Sequence, residues 1–218
     1  MFQSMKEVLV NLVEKQPTSE EALFLKDKVS LHCFPKNQII FYQQDESHKL
    51  YILKEGLVVL NRHNHDGELS YHEMVVPNVL FPMNSLCCYE NNHYEAVALT
   101  KSVLWQIKRT DLLLFLERFP KYYPVFCRDL SLMNERSEEK IYMLTSMNAK
   151  ERVFSVIETL LADFGITKSD RCFLPWPITV IEISQLAKVT RETTSLVLNE
   201  LKDEKKVLYA NKQLAIPL

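Results

Sequence analysis

The stretch Thr179–Lys202, TVIEISQLAKVTRETTSLVLNELK, leaves little freedom in how it can fold. Thr179 and Glu182 stand three apart, the spacing at which each side chain closes an open amide at a helix start. Ile183, Leu186 and Ala187 then recur on one helical face. A tight turn is expected around Lys188-Val189. Thr190 is placed to cap a second helix whose buried stripe is Thr194, Val197, Leu198 and Leu201. Arg191, Glu192, Thr193 and Ser195 are left pointing outward near its start. In a helix-turn-helix the second helix enters the DNA major groove, its N-terminal side chains toward base edges. Arg forks onto guanine, Glu accepts from the cytosine amine, and Thr or Ser serves bases or phosphates. The expected partner is double-stranded DNA.

At these residues, LAKVTRETTSLVLNEL resembles the recognition motif of the cyclic-AMP receptor/FNR (CRP/FNR) family of bacterial transcription regulators. There, Arg-Glu-Thr follows the capping Ser or Thr. Two positions depart from the pattern. Lys188 stands where the turn often carries Gly, and a left-handed Lys costs ~1 kcal/mol. Leu196 stands where an Arg is usual, which removes one guanine contact. The expectation is that Arg191, Glu192 and Ser195 read bases while Thr190, Thr193 and Lys212 hold the DNA backbone.

Upstream, the period of the apolar residues changes twice. Residues 4–15 read as a short amphipathic helix. Gln38–Tyr42, Leu50–Lys54, Leu57–Asn61, Glu68–Val76 and Ser102–Lys108 then read as short strands, with turn signals at Pro35-Lys36-Asn37, Glu55-Gly56 and His65-Asp66-Gly67. This spacing predicts a double-sheet jelly roll, and LYILKEGLVVL resembles the strand-turn-strand of the family's sensor domain. With three glycines in the chain, Gly56 and Gly67 are expected where positive φ is required. Helical period returns at Arg109. Thr110 is placed to cap DLLLFLERF, and Pro120 and Pro124 precede a long helix over Val125–Met147. Its stripe is Phe126, Leu130, Met133, Ile141 and Leu144, broken at Ser137. In the family this helix pairs with its twin, and a palindrome reader needs two recognition helices roughly 34 Å apart. Asn148 with Glu151 caps a further helix that Gly165 stops. After Leu174-Pro175-Trp176-Pro177 and the helix-turn-helix, Val207–Ile216 reads as a hairpin wing turning at Ala210-Asn211-Lys212. The predicted fold is α+β: a jelly-roll sensor over 1–120, a dimerisation helix over 121–147, and a winged helix-turn-helix over 148–218.

Charge adds little. The chain carries a net charge of −2, and from Asn148 onward ten Lys/Arg stand against nine Asp/Glu. A local patch of Lys202, Lys205, Lys206 and Lys212 is the better sign of phosphate contact. No apolar run is long enough to cross a bilayer, and MFQSMKEVLV lacks a basic region followed by a long apolar stretch. Five cysteines (Cys33, Cys87, Cys88, Cys127 and Cys172) make no disulfide framework. A cytoplasmic homodimer without membrane contact is expected, and the resemblance implies RNA polymerase as a further partner.

The family's cyclic-nucleotide pocket holds the phosphate with Gly-Glu at a short helix start and an Arg downstream. In NVLFPMNSLCCYENNHYEAVA, Pro82-Met83 and Tyr94 stand at those places. Proline removes an amide donor and neither Met nor Tyr supplies charge, so cyclic AMP is not the expected effector. The iron–sulfur branch needs four cysteines, and Cys33 alone precedes the barrel. No cofactor is expected. Phe81, Met83 and Tyr94 are candidates to line an apolar pocket for another small-molecule effector, and Cys87 and Cys88 are candidates for redox chemistry. The alternatives are a ligand- or thiol-triggered regulator with weak DNA affinity when unliganded and, more remotely, a cupin-like metal enzyme using His63, His65 and Glu68. Against the latter, Asp66-Gly67 is a strong turn signal inside that run.

Overall fold

The computed structural model describes residues 4–14, 19–75, 79–87, 90–168 and 170–218. They divide into two compact units between Asn134 and Glu135, inside one helix.

The first unit begins with α1 (Met5–Glu14) and α2 (Glu20–Leu25) and continues with β1 (Val29–Phe34), β2 (Ile39–Phe41) and β3 (Lys49–Glu55). Next come β4 (Val58–His63), β5 (Leu69–Met74), β6 (Leu80–Phe81), α3 (Asn84–Cys87), β7 (Glu95–Ala98), β8 (Ser102–Lys108) and α4 (Arg109–Arg118). Two antiparallel sheets, ordered β1-β8-β3-β6 and β2-β7-β4-β5, form the expected roll. Five strands fall where the period-2 runs put them, shifted by a residue or so at their ends; residue 76 lies outside the described residues. The reading missed β1, β6 and β7. β1, VSLHCF, alternates apolar and polar residues but lies at a sheet edge with its four central residues exposed. β6 has two residues.

The pleat of β3 and β8 divides the apolar residues between two cores. Tyr51, Leu53, Leu104 and Phe81 face inward with Val58, Leu60 and Ala96 of the opposite sheet. Leu50, Ile52, Trp105 and Ile107 face outward, covered by Met5, Leu9, Leu25, Leu112, Phe115 and Phe126. Gly56 has φ +95°, and a Cβ there would lie 2.6 Å from the Lys101 carbonyl oxygen and 2.7 Å from Ser102 Cα. Gly67, φ +80°, turns the β4–β5 tip.

Two expectations about the helices are corrected. α4 starts at Arg109 with Lys108 at its N-cap and no side-chain cap, so Thr110 is not the cap. β8 runs straight into the helix, and Arg109 anchors the junction by donating its amide to the His48 carbonyl and Nε to the Leu86 carbonyl. The long helix α5 spans Tyr123–Ser146, with Pro124 inside its first turn, where a missing amide costs nothing. Its apolar residues do not form one stripe. Phe126 is buried and Met133 packs against the outer core of the roll, whereas Leu130 and Ile141 are 40% and 60% exposed.

The second unit holds the rest of α5, then α6 (Ala149–Phe164), β9 (Ile166–Lys168), β10 (Arg171–Phe173), α7 (Val180–Ala187), α8 (Arg191–Asp203), β11 (Leu208–Ala210) and β12 (Gln213–Pro217). The Asn148–Glu151 capping box is formed. Gly165 ends α6, but at φ −66°, not left-handed. Glycine is needed there for space: a Cβ would collide with the Leu161 carbonyl and Cys172 Sγ. The wing is larger than a hairpin, because β10 and β9 extend it into a sheet ordered β11-β12-β10-β9.

Candidate nucleic-acid interface

The helix pair forms from local rules. Thr179 Oγ1 accepts from the Glu182 amide at 3.2 Å, and the Glu182 carboxylate accepts from the Thr179 amide at 2.6 Å, closing the box that starts α7. Ile183 and Ala187 are fully buried, and Leu186 nearly so. Lys188 turns the chain at φ 51°, ψ 48°, the left-handed conformation that its place in the turn requires. Partial desolvation of this exposed residue, then the nearby Lys140 charge, lowers its ammonium pKa from 10.5. Thr190 caps α8: its Oγ1 accepts from the Thr193 amide at 3.2 Å and donates to Thr193 Oγ1 at 2.9 Å.

α8 then presents two faces. Thr194, Val197, Leu198 and Leu201 are buried, and the Thr194 hydroxyl is satisfied by the Thr190 carbonyl at 2.9 Å. Arg191, Glu192, Ser195, Leu196 and Asn199 are exposed, with Thr193 half-buried. Arg191 and Glu192 approach to 4.0 Å, the outer limit of an ion pair. Such an exposed contact holds neither side chain firmly.

The wing is tied to the same helix pair. The Ile178 amide, one residue before the α7 cap, donates to the Lys212 carbonyl at 2.8 Å, and Tyr209 Oη donates to the Ile178 carbonyl at 2.9 Å. Asn211 and Lys212 both have positive φ, a turn that matches strand twist. Lys212 is thereby held exposed at the wing tip. Sequence reading missed the Tyr209–Ile178 tie, since nothing in the spacing marks it. The remaining patch lysines are engaged differently. Lys206 pairs with Glu204 at 2.8 Å, Lys202 reaches Asn199 Oδ1 at 3.4 Å, and Lys150 and Lys206 hold the Glu204 carboxyl at about 2.

In the roll, the three candidate pocket residues part company. Phe81 lies in the inner core and Met83 in the outer one, while Tyr94 packs against the inner core and touches Asn84 Oδ1 at 3.5 Å. Tyr71 stacks on Tyr94 at 6.4 Å and donates to Glu73. Burial, reinforced by the Glu73 charge, raises both tyrosine hydroxyls far above 10. A cavity of about 930 Å³ opens beside them, lined among others by Arg62, His63, Asn84 and His93. Cys88 and the Cys87 side chain lie outside the described residues. Cys33 and Cys127 are exposed. His63, His65 and Glu68 flank a tip in which Asn64 Oδ1 accepts the Asp66 and Glu68 amides. Among the described residues no group of three His, Cys, Asp or Glu converges as a metal site, and no helix is long and apolar enough to cross a membrane.

The chain matches the cyclic nucleotide-binding domain family over residues 31–119. It is 30% identical over 191 residues to the HTH-type transcriptional regulator ArcR of Staphylococcus epidermidis, covering 86% of this chain and 82% of that one. Among solved structures, a cyclic nucleotide-binding domain containing protein from Listeria monocytogenes superposes with TM-score 0.74 at 18% identity, over 98% of this chain and 97% of that one. A CRP/FNR-family transcriptional regulator from Thermus thermophilus gives 0.66 at 21%, over 86% and 93%. A DNA-binding regulator is what the roll, the winged helix pair and these relatives have in common, and the chain belongs to the CRP/FNR family of helix-turn-helix transcriptional regulators.

Proposed function

We propose that the protein binds a palindromic promoter site as a homodimer, with Arg191, Glu192 and Ser195 reading bases and Thr190, Thr193 and Lys212 holding the DNA backbone. The observation that carries the reading is the start of α8, where the cap and the buried stripe leave these side chains outward. The Thr190 and Thr193 hydroxyls share one hydrogen bond, which leaves one of their two protons to offer a phosphate. Dimerisation is supported by the surface of α5. Tyr123, Leu130, Leu132, Ile141 and Tyr142 are large apolar side chains left 40–60% exposed along it. The helix 121–147 is then the dimer helix, and RNA polymerase is a further partner in this reading. Relatives named as regulators support this role over an enzymatic one.

The effector in this reading is not cyclic AMP: Pro82, Met83 and Tyr94 replace the groups that would bind its phosphate and ribose, and Met83 is 5% exposed. A second reading, a regulator switched by another small molecule, is favoured by the cavity beside Tyr71 and Tyr94. The two are separated by titrating purified, additive-free protein against a randomised duplex pool and sequencing the bound fraction, with reductant and with oxidant. A two-fold symmetric consensus at nanomolar affinity supports the effector-free dimer. Binding only in the nonspecific range of about 10⁻⁴–10⁻⁶ M favours the switched one. No binding at all refutes both.

A further inference from the structure

Leu196 is 65% exposed, on the same outward surface of α8 as the residues assigned to bases. At ~100° per residue it sits about 40° around the helix from Glu192 and about 60° from Asn199. Helical side chains lean toward the N-terminus of their helix, so Leu196 covers the turn that carries Glu192. It is the large apolar side chain in a face otherwise made of Arg191, Glu192, Ser195 and Asn199. Leucine can neither donate nor accept a hydrogen bond. In the major groove, the one base feature it can read is the thymine C5-methyl. Opposite a G·C pair it would cover the guanine O6 and N7 or the cytosine amine without satisfying them, and such unpaired polar groups are costly to desolvate.

We propose that Leu196 is a specificity-determining residue that selects thymine at one position in each half-site, one base step from the pair read by Glu192. This rests on the reading of α8 as the recognition helix. The test takes the consensus from the randomised-pool selection and replaces each thymine in turn, in both half-sites, by deoxyuridine, which lacks the methyl alone. Wild type should lose about fourfold in affinity per half-site at one symmetric position, what burying one methyl is worth. Leu196→Ala should show no loss there and should accept other bases at that position in its own selection. Because Leu196 is exposed, this variant is expected to fold; its circular dichroism and melting confirm that before binding is measured. If deoxyuridine costs wild type nothing at every thymine, or costs Leu196→Ala equally, the Leu196 assignment is overturned while the DNA-reading role stands. If wild type selects no consensus at all, both fall.

Discussion

The two units dispose of their polar side chains in opposite directions. In the roll, polar groups turn toward one another. Tyr71 donates to Glu73, buried Ser47 donates to Ser85 of α3 at 2.8 Å, and Asn61 reaches both His72 and Glu95. In the helix-turn-helix the satisfied groups include the caps, Ser184 and Thr194, while Arg191, Glu192 and Ser195 stand in solvent. A domain that turns polar groups toward one another has invested them in its own shape. One that leaves charges on a rigid, capped helix has them available for a ligand of matching pattern. Substitutions in the first region should therefore register in unfolding, and those on the outward face of the second in binding.

The largest effect is expected at Gly56. Its positive φ and the close approach of Lys101 and Ser102 leave no room for a methyl. Gly56→Ala should destabilise the roll by about 3 kcal/mol, read by urea unfolding. A change under ~1 kcal/mol would mean that the β3–β4 turn can shift, and would break the contrast drawn above.

Glu192→Ala should act in the other sense. Stability should move by less than about 0.5 kcal/mol, as for an exposed site. Discrimination at one base pair should fall by about 1–3 kcal/mol, measured by competition between duplexes differing at that pair. Unaltered discrimination would remove Glu192 from the base-reading set. Lys212→Ala should instead weaken binding to all sequences alike and reduce the salt slope by about 0.9; an unchanged slope would count against a phosphate contact.

The contrast also explains what could be read from the sequence. Each statement about the helix-turn-helix depended on residues within four positions of one another: a Thr and a Glu three apart, a stripe at helical spacing, one left-handed Lys. Local rules therefore reached it. The placement of the pocket residues turns on a non-local point. Phe81 and Met83 are two residues apart, yet they enter different cores. The α5 stripe turns on another. Phe126 and Leu130 share a helical face by spacing, but which of them is buried depends on where the roll's helices lie. Gly165 ends α6 for space, not for a left-handed turn, because Cys172 arrives beside it on β10, a strand that no local spacing marks.

Within the second unit, the caps and the outward face should also separate. Thr179→Ala removes the oxygen that accepts the Glu182 amide and the hydroxyl that donates to its carboxylate. It should cost about 1 kcal/mol of stability, and any effect on DNA specificity should be lost once the protein is compared at equal folded fraction. A change in the selected consensus would show that α7 geometry, not only the α8 side chains, sets base choice.

The smallest effect is expected at Lys188, and its sign is opposite. The left-handed backbone there disfavours any residue with a Cβ, so Lys188→Gly should stabilise by about 1 kcal/mol, reduced somewhat by the greater freedom of glycine in the unfolded chain. A second part depends on pH. Partial desolvation and Lys140 depress the folded-state pKa of Lys188 below 10.5, so folding disfavours its charged form. That penalty is present in full below the depressed pKa, where Lys188 is charged in both states. It disappears as pH rises toward 10.5, where the unfolded chain also loses the proton. The advantage of Lys188→Gly should therefore be greatest near neutral pH and shrink in alkali to the backbone part alone, followed as the difference in urea midpoint between variant and wild type. A difference that stays constant with pH would leave the backbone as its whole cause; one that grows in alkali would mean that Lys188 gains an attractive partner on folding, and the turn would then be held by charge as well as by shape.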